Sequence, residues 1–312
     1  MVTKAIIPAG GVGTRFLPTT KVLPKEMLPI LEKPAIQYIV EEGLRAGLKN
    51  YIVVTSKHKT CLEDHFDINQ ELVSFLEEKG KHSLIDGIEK IVQLANFVYV
   101  RQREPRGLGH AIWTARNVIG KEYVAIFLPD DIIVHSTPAI GQLMQVAQQE
   151  KCSVIAVQEV PMNTVSNYGV IGVRKQFSPN LFQVKELVEK PTISQAPSNL
   201  AIIGRYVLSP SIFGALDELK IGVNGEVQLT DAIQSLLLSG EKVFAYKVQG
   251  VRHDVGNPMG LLKANIDLAL RNPKYSDILL DYLSELDREF VVMQGKANLL
   301  NKNAGSKPIL PL

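Results

Sequence analysis

The chain has 312 residues, of which 46% are hydrophobic and 21% are charged. This balance excludes an intrinsically disordered chain and is typical of a folded protein with a sizeable core. The 34 lysines and arginines and the 32 aspartates and glutamates leave a formal net charge of +2, so we expect no nucleic-acid partner, which would need basic residues concentrated on one face.

Cysteine and hydropathy patterns exclude further classes of protein. The two cysteines, Cys61 and Cys152, are far apart and make no disulfide framework, and no set of cysteines and histidines has the spacing of zinc ligands. The apolar runs are too short to span a bilayer, and the first residues lack the pattern of a signal peptide. We therefore expect a cytoplasmic protein with no membrane partner.

The first half of the chain alternates between strand-like and helix-like segments. The predicted strands are 4–8, 51–56, 97–102 and 123–131, and the predicted helices are 35–47, 61–81 and 109–119. The strand segments are continuously apolar, which is typical of parallel strands that are covered on both faces. This order of elements predicts a doubly wound sheet.

The second half predicts a mixed sheet, because several strand-like segments follow one another without a helix between them. These strands are 153–160, 168–174, 182–191 and 199–209, and the later helices are 227–240, one after Pro258, and 275–290. The predicted fold is therefore an α/β, Rossmann-like doubly wound mixed sheet with helices on both faces and a C-terminal helical extension. We predict a domain at 1–272, a helical extension and candidate oligomer contact at 273–295, and a weakly ordered tail at 296–312.

A glycine-rich loop follows the first strand in "AIIPAGGVGTRFLP" (5–18). A dinucleotide fingerprint fails here because Phe16 stands where a third glycine is needed, and no P-loop pattern is present. A third interpretation is a turn whose bare amides face the phosphates or the base of a nucleotide, with Arg15 as a forked cation beside the triphosphate. The glycines alone are equally compatible with a tight turn that binds nothing.

Two pairs of charged residues are similarly ambiguous. Lys25 and Glu26 lie between two prolines that hold the chain extended, so they are either a rigid functional pair or a solvated ion pair. Asp130 and Asp131 end the apolar run "FLPDD", where a carboxylate would face the ligand crevice of a parallel sheet, although two aspartates are also a turn signal. Successive strand residues point to opposite faces, so only one of the two aspartates should reach a ligand.

The stretch "PAGGVGTRFLPTTKVLPKEMLPI" (8–30) closely resembles the signature of the sugar-1-phosphate nucleotidylyltransferases. "LPKEMLPI" together with "KPAIQYIVEE" is similar to the bacterial UTP–glucose-1-phosphate uridylyltransferase branch in particular. Further motifs fit the same family in the same order, over roughly residues 3 to 270: "EDHFD", "VRQREPRGLGHAI", "FLPDDI", "YGVI", "VEKP", "NLAIIGRYVLSP", "GEVQLTDAI" and "DVGNPMG". Each motif is loose by itself, but their ordered coincidence is highly specific.

The resemblance implies a nucleotidyltransferase fold and a direct reaction between two anions. An oxygen of glucose 1-phosphate attacks the α-phosphorus of UTP and gives UDP-glucose and pyrophosphate, so catalysis is mostly alignment and charge neutralisation, without a protein nucleophile. The resemblance also implies Mg²⁺ as the cofactor and a homo-dimer or homo-tetramer as the assembly. Two alternatives stay open, namely a non-catalytic regulatory paralogue of the same fold and a thymidylyltransferase that acts on the same sugar phosphate.

The family's site residues transfer to matching positions of this sequence. The resemblance implies that Asp130 and Asp254 are the metal ligands, and that Arg15, Lys25 and Lys190 are the catalytic cations. Nucleotide-binding residues implied in the same way are Ala9, Gly10, Gly11, Glu26, Gln102 and Gly107. Sugar-binding residues implied in the same way are Gly169, Glu189, Lys190 and Gly204.

Three further positions carry expectations. Pro258 follows the second metal ligand where the family pattern leads us to expect a basic residue, which puts the start of the next helix in doubt. His110 and His253 fit no catalytic triad, and we expect them to have structural roles or to support neighbouring ligands.

Overall fold

A computed structural model of the chain describes residues 2–218 and 225–288. The strands are β1 Lys4–Pro8, β2 Pro29–Ile30, β3 Lys33–Pro34, β4 Asn50–Thr55, β5 Asn96–Arg101, β6 Val124–Phe127, β7 Asp131–Val134, β8 Ser153–Glu159, β9 Gly169–Ser178, β10 Leu181–Glu189, β11 Leu200–Leu208, β12 Val243–Lys247 and β13 Val251–Asp254. The helices are α1 Ala35–Arg45, α2 Cys61–Asp64, α3 Gln70–Glu78, α4 His82–Leu94, α5 Leu108–Thr114, α6 Arg116–Ile119, α7 Ala139–Glu150, α8 Ser211–Glu218, α9 Leu229–Leu238 and α10 Pro258–Leu270. A further helix, α11, covers 276–288 among the described residues.

Nine of these strands form one mixed sheet in the order β5-β4-β1-β6-β11-β8-β12-β10-β9. The first four run parallel to one another, whereas β11 is antiparallel to both β6 and β8. From β1 the chain builds outward to β4 and β5, and then returns to place β6 on the other side of β1. This reversal of direction opens a crevice at the carboxyl ends of β1 and β6, where such sheets bind ligands.

Helices cover both faces of the sheet. Ile6 of β1 joins a buried cluster with Ala111 and Ile112 of α5 and with side chains of α8 and α9. Its neighbours Ala5 and Ile7 are also fully buried, and they point to the opposite face because strand residues alternate. Helix α7 packs on β8 and β11, and α1 packs on α7. The predicted doubly wound mixed sheet with helices on both faces is confirmed.

The structure corrects two predicted helices. The single helix predicted at 61–81 is two shorter helices, α2 and α3, because Asn69 caps a new helix by accepting a hydrogen bond from the backbone N–H of Leu72. Gly80, with a positive φ of 66°, follows α3, and α4 begins beyond the predicted range, at His82. The helix predicted at 109–119 divides at Ala115 into α5 and α6. Helix α7 was not predicted from the sequence.

A small second sheet pairs β7 with β13 and places two predicted site segments side by side. The two strands are antiparallel, and Asp131 lies opposite Asp254. The strand predicted at 123–131 ends at Phe127, because Leu128, Pro129 and Asp130 form a turn that is closed by a hydrogen bond from the N–H of Asp131 to the carbonyl of Leu128. Asp130 is therefore a turn residue.

The chain divides into two units, the first ending at Leu261 and the second beginning at Leu262. All the site residues discussed below belong to the first unit. The second unit contains the rest of α10 and, among its described residues, α11. The predicted extension at 273–295 forms a turn at 273–275 and is helical over 276–288, whereas 289–295 and the predicted tail at 296–312 lie outside the described residues. No helix in the described ranges is long and apolar enough to cross a membrane.

Candidate active site

The glycine-rich loop begins where β1 ends, at the crevice. A Cβ added at Gly10 would lie 2.5 Å from Oε1 of Gln102, whereas one added at Gly11 would meet no atom within 4 Å. The bare backbone therefore makes room for a protein side chain at one position and leaves open space at the next. Gly13 has a φ of 71°, a left-handed conformation that turns the loop back toward the 3-10 turn carrying Arg15.

The loop forms one wall of a cavity of about 460 Å³. Five of the predicted nucleotide-binding residues line this cavity, namely Gly10, Gly11, Glu26, Gln102 and Gly107. Ala9 does not belong to the wall. It is fully buried, its N–H donates to Val54, and its carbonyl accepts from Lys59 at 2.5 Å. The predicted contribution of the Ala9 backbone to nucleotide binding stays a prediction, although its N–H and its carbonyl both have partners inside the protein.

Glu26 is a buried carboxylate and not half of a solvated pair. Its side chain is only 1% exposed, and its Oε2 accepts a hydrogen bond from Nζ of Lys59 at 2.9 Å. The second oxygen, Oε1, is buried without a hydrogen-bond partner among the described residues. A buried acceptor without a donor lowers the stability of the fold unless a ligand donates a hydrogen bond to it. Oε1 of Glu26 can therefore accept a hydrogen bond from a ligand in the cavity. Lys59 was not predicted, since a lysine in a loop carries no signal of burial.

Lys25 turns away from Glu26 and pairs with Asp130. Its Nζ lies 2.6 Å from Oδ2 of Asp130. Burial alone would lower the pKa of Lys25, but the negative charges of Asp130 and Glu26 outweigh burial and raise it. Burial would likewise raise the pKa of Asp130, but the neighbouring Lys25 ammonium lowers it instead. Both side chains are therefore charged at neutral pH.

Asp130 and Asp254 converge over a glycine that was not predicted. A Cβ added at Gly256 would stand 2.9 Å from Oδ2 of Asp130 and 3.1 Å from Oδ1 of Asp254. Oδ2 of Asp130 accepts a hydrogen bond from Nζ of Lys25, and Oδ1 of Asp254 accepts one from the N–H of Gly256 at 3.0 Å. Two neighbouring carboxylates fit a small divalent cation, which takes its other ligands from phosphate and water. Within the described residues, no group of three or more His, Cys, Asp or Glu side chains is placed to hold a metal ion.

Asp131 is buried, but Asp130 lies in the preceding turn and not in a strand, so the alternation of strand residues does not decide which of the two faces a ligand. Oδ1 of Asp131 accepts a hydrogen bond from Nε of Arg252 at 2.6 Å, and its Oδ2 accepts one from the N–H of Gly204 at 2.9 Å. Burial raises the pKa of Asp131 although the Arg252 guanidinium opposes this rise. Gly204 lines the second cavity, but its N–H is engaged here and a Cβ at this position would come within 2.7 Å of the Asp131 side chain. Position 204 therefore has to be glycine because the Asp131 side chain packs against it. The predicted contact of Gly204 with a sugar stays a prediction.

A second cavity, of about 210 Å³, adjoins the first. The two cavities share Leu108, Leu128 and Asp130. The second is lined in addition by predicted residues from several elements: Arg15, Gly169, Glu189, Gly204 and Asp254. Arg15 thus borders the second cavity and not the first, in which it was expected to meet a triphosphate.

Glu189 and Lys190 lie at the end of β10. Oε2 of Glu189 accepts a hydrogen bond from the hydroxyl of Thr230 at 2.7 Å, so Thr230, which was not predicted, fixes the carboxylate in the cavity wall. Lys190 has a φ of 46°, a left-handed conformation that is unusual for a lysine. Its side chain is 58% exposed, with Nζ 3.6 Å from Oε1 of Glu189. Lys190 is therefore an exposed cation beside Glu189, which lines the cavity.

A buried ion pair supports the turn that carries Asp130. Arg205 of β11 is fully buried, and its Nη2 donates to Oε2 of Glu42 at 2.6 Å and to the carbonyl of Asp131 at 2.7 Å. Its Nη1 donates to the carbonyl of Leu128 at 3.3 Å. One guanidinium thus holds both ends of the turn. Neither Arg205 nor Glu42 was predicted, because an arginine in a strand and a glutamate in a helix are ordinary surface residues by pattern.

Known proteins of similar sequence and structure fall into one family. A family model described as nucleotidyl transferase matches residues 4–270. A UTP–glucose-1-phosphate uridylyltransferase of Staphylococcus haemolyticus is 52% identical over 285 residues, which are 91% of this chain and 98% of that protein.

A crystal structure of UDP-glucose pyrophosphorylase complexed with UDP-glucose has a TM-score of 0.80 at 41% identity, over 87% of this chain and 100% of its own. The structure of a UTP-bound UGPase from Acinetobacter baumannii has a TM-score of 0.85 at 37% identity, over 92% of this chain and 100% of its own. The match over nearly the whole first unit, together with two cavities meeting at Asp130, shows that the chain belongs to the nucleotidyl transferase family.

Proposed function

We propose that this protein is a UTP–glucose-1-phosphate uridylyltransferase, which forms UDP-glucose and pyrophosphate from UTP and glucose 1-phosphate. The observation that carries this proposal is the pair of cavities with a common wall at Asp130. Two ligands bound there would bring their phosphates together at the wall. The names of the similar proteins, and the UTP and UDP-glucose bound in two of the similar structures, point to the same pair of substrates.

The first cavity would bind the nucleotide. The open space at Gly11 lets phosphates approach the backbone of the loop, which glycine alone allows at such short range. Gln102 and the free oxygen of Glu26 are hydrogen-bonding groups for the base or ribose. Since these groups are held by buried partners, they are organised before the nucleotide arrives.

The second cavity would bind the sugar phosphate. Glu189 offers carboxylate oxygens to sugar hydroxyls, and Thr230 restrains it from turning away. Lys190, at the rim, would pair with the phosphate of glucose 1-phosphate, and Arg15 adds a second cation to the same wall. Cations suit the phosphate of this ligand, and the carboxylate of Glu189 suits the hydroxyls of its neutral ring.

Charge neutralisation is the central chemical requirement, because both substrates are anions. Lys25 contributes a fixed ammonium at the common wall, where Asp130 keeps it protonated. We propose that Asp130 and Asp254, whose carboxylates both border Gly256, would hold Mg²⁺, which when bound would supply positive charge to neutralise the phosphates. In this arrangement the chain supplies binding, alignment and charge, and no side chain is required as a nucleophile.

A panel of nucleotides tests the proposed function. The protein is incubated with glucose 1-phosphate, Mg²⁺ and each of UTP, dTTP, ATP, CTP and GTP, and the release of pyrophosphate is measured. We expect the fastest release with UTP. Fastest release with dTTP would instead identify a thymidylyltransferase, and no release with any nucleotide would identify a regulatory paralogue.

A further inference from the structure

The terminal amide of Gln102 has a fixed orientation. Gln102 directly follows β5 and is buried in the wall of the nucleotide cavity. Its Nε2 donates to the backbone carbonyl of Gly107 at 3.3 Å and lies 2.9 Å from Nδ1 of His110. A carbonyl can only accept a hydrogen bond, so the amide nitrogen must be the atom that faces Gly107. The amide oxygen must then point the other way.

The same geometry determines the tautomer of His110. Because Nε2 of Gln102 is a donor, Nδ1 of His110 must accept, and the ring proton of the neutral imidazole is on its Nε2. The ring is held in the first turns of α5 and stacks on Trp113, with centroids 5.7 Å apart. Burial lowers the pKa of His110, and the charge of Arg106 lowers it further, which favours the neutral form that can accept.

The amide oxygen of Gln102 is thereby turned toward Gly10. A Cβ at position 10 would lie 2.5 Å from this oxygen, so any other residue there would displace it. Both Gly10 and Gln102 line the nucleotide cavity. The cavity wall therefore presents a hydrogen-bond acceptor at this position and keeps the donor end of the amide on the protein side.

We propose that His110 is a positioning residue for base selection, which holds the Gln102 amide so that its oxygen faces the base and selects a pyrimidine with a ring N–H. This proposal rests on the proposed function. Uracil and thymine carry a hydrogen at N3, which can donate to the Gln102 oxygen. Cytosine has a lone pair at N3, which would face that oxygen without a hydrogen between them. If the Gln102 amide rotated by 180°, its NH₂ group would face the base, and cytosine would be preferred over uracil.

His110 and Gly107 share the task of preventing this rotation. The contact with His110 is the shorter of the two, and replacing His110 by alanine would leave only the 3.3 Å contact with Gly107. We expect the ratio of kcat/KM for UTP to that for CTP to fall by about tenfold in the His110→Ala variant, since one of two orienting hydrogen bonds is lost. Asparagine can present an acceptor oxygen at the same position, so His110→Asn should recover part of the ratio.

The ratio separates orientation from general damage. A merely structural defect would weaken UTP and CTP alike and leave the ratio unchanged, which would overturn the proposal. The ratio of UTP to dTTP should stay constant in every variant, because both bases carry the N3 hydrogen. His82→Ala, an exposed histidine at the start of α4, is the matched control and should change neither ratio. Wild-type protein that transfers no nucleotide would contradict the proposed function itself, which is a different result from an unchanged ratio in an active enzyme.

A second measurement does not depend on the folding of any variant. Proton–nitrogen NMR correlation of the wild-type protein at neutral pH reports which nitrogen of His110 carries the proton. A proton on Nε2 with an unprotonated Nδ1 supports the proposal. A proton on Nδ1 would face the donor end of the Gln102 amide and would overturn it.

Discussion

Asp130 and Asp131 are neighbours in sequence, yet their side chains have different surroundings. Asp130 lies in a turn, its side chain is 31% exposed, and its Oδ2 pairs with Nζ of Lys25 at 2.6 Å. Asp131 begins β7 and is buried between Arg252 and Gly204. A ligand can approach the carboxylate of Asp130, whereas both oxygens of Asp131 accept hydrogen bonds from other residues of the protein.

Substitution of each aspartate by asparagine separates these two roles. Asp130→Asn should abolish magnesium-dependent transfer, because it removes a proposed metal ligand, and should lower the free energy of unfolding by about 1 kcal/mol, because Lys25 loses its ion-pair partner. Asp131→Asn should lower the free energy of unfolding by about 1–3 kcal/mol, because one of the two buried oxygens that accept from Arg252 and Gly204 becomes an NH₂ group. Pyrophosphate release and urea unfolding are measured on both variants. Loss of magnesium-dependent transfer in Asp131→Asn alone would show that Asp131, and not Asp130, faces the metal.

Lys190 allows a test of the sugar side by itself. Lys190→Ala should reduce turnover by about 100-fold or more while UTP affinity is unchanged, because this cation pairs with Glu189 of the second cavity and does not line the first. Lys185→Ala is the matched control, since Lys185 is similarly exposed on the same strand and pairs with Glu186. Turnover and UTP binding are measured for both variants. Equal turnover in the two variants would remove Lys190 from the site.

At the scale of elements, the turn between β6 and β7 is positioned by a strand and a helix from elsewhere in the chain. Arg205 of β11 holds the carbonyls at both ends of the turn, and Glu42 of α1 neutralises Arg205. Glu42 also accepts a hydrogen bond from the N–H of Ile140 at the start of α7. The position of Asp130 thus depends on packing across the face of the sheet that α1 and α7 cover.

Removal of one member of this ion pair should be more damaging than removal of both. Arg205→Met should lower the free energy of unfolding by about 3–5 kcal/mol, because Glu42 then remains buried as an unpaired charge. The double variant Glu42→Leu with Arg205→Met should be more stable than the single one, because no buried charge is left. It should stay below the wild type, since the carbonyls of Leu128 and Asp131 and the N–H of Ile140 still lose their partners. Chemical unfolding of the three proteins decides the order, and a double variant less stable than Arg205→Met would contradict this account.

At the scale of the whole molecule, the second unit presents apolar side chains to solvent. Ile278, Leu280 and Tyr282 of α11 are 72%, 52% and 55% exposed. Ile278 and Tyr282 lie one turn apart on the same face of the helix, and exposed apolar groups of this kind are typical of a surface that meets another protein. This supports the prediction that the extension at 273–295 contacts a second copy of the chain.

Light scattering on a sizing column tests that prediction. The wild-type chain should elute as a dimer or tetramer, and replacing Ile278 and Tyr282 together by glutamate should shift it toward the monomer, because charges in an apolar contact are strongly unfavourable. Leu94→Glu, which alters an exposed apolar residue of the first unit, should leave the assembly unchanged. A monomeric wild-type chain would contradict the prediction.

Sequence alone determined the features that depend on neighbours along the chain. The apolar runs of β1, β4, β5 and β6 and the helix α1 were predicted because a strand or a helix imposes a short period on its own residues. The ordered motifs predicted which loops meet at the site, since the carboxyl ends of parallel strands lie at one edge of the sheet.

Tertiary structure alone decided which partner each polar side chain has. Glu26 pairs with Lys59 and not with Lys25, Arg205 reaches across the sheet to Glu42, and His110 turns the amide of Gln102. Such pairs join residues that are far apart in sequence or separated by a loop. The periodic pattern of apolar residues within one helix or strand therefore does not predict them. The energy of a hydrogen bond or an ion pair depends on burial and on distances of a few ångströms, and the folded chain alone fixes both.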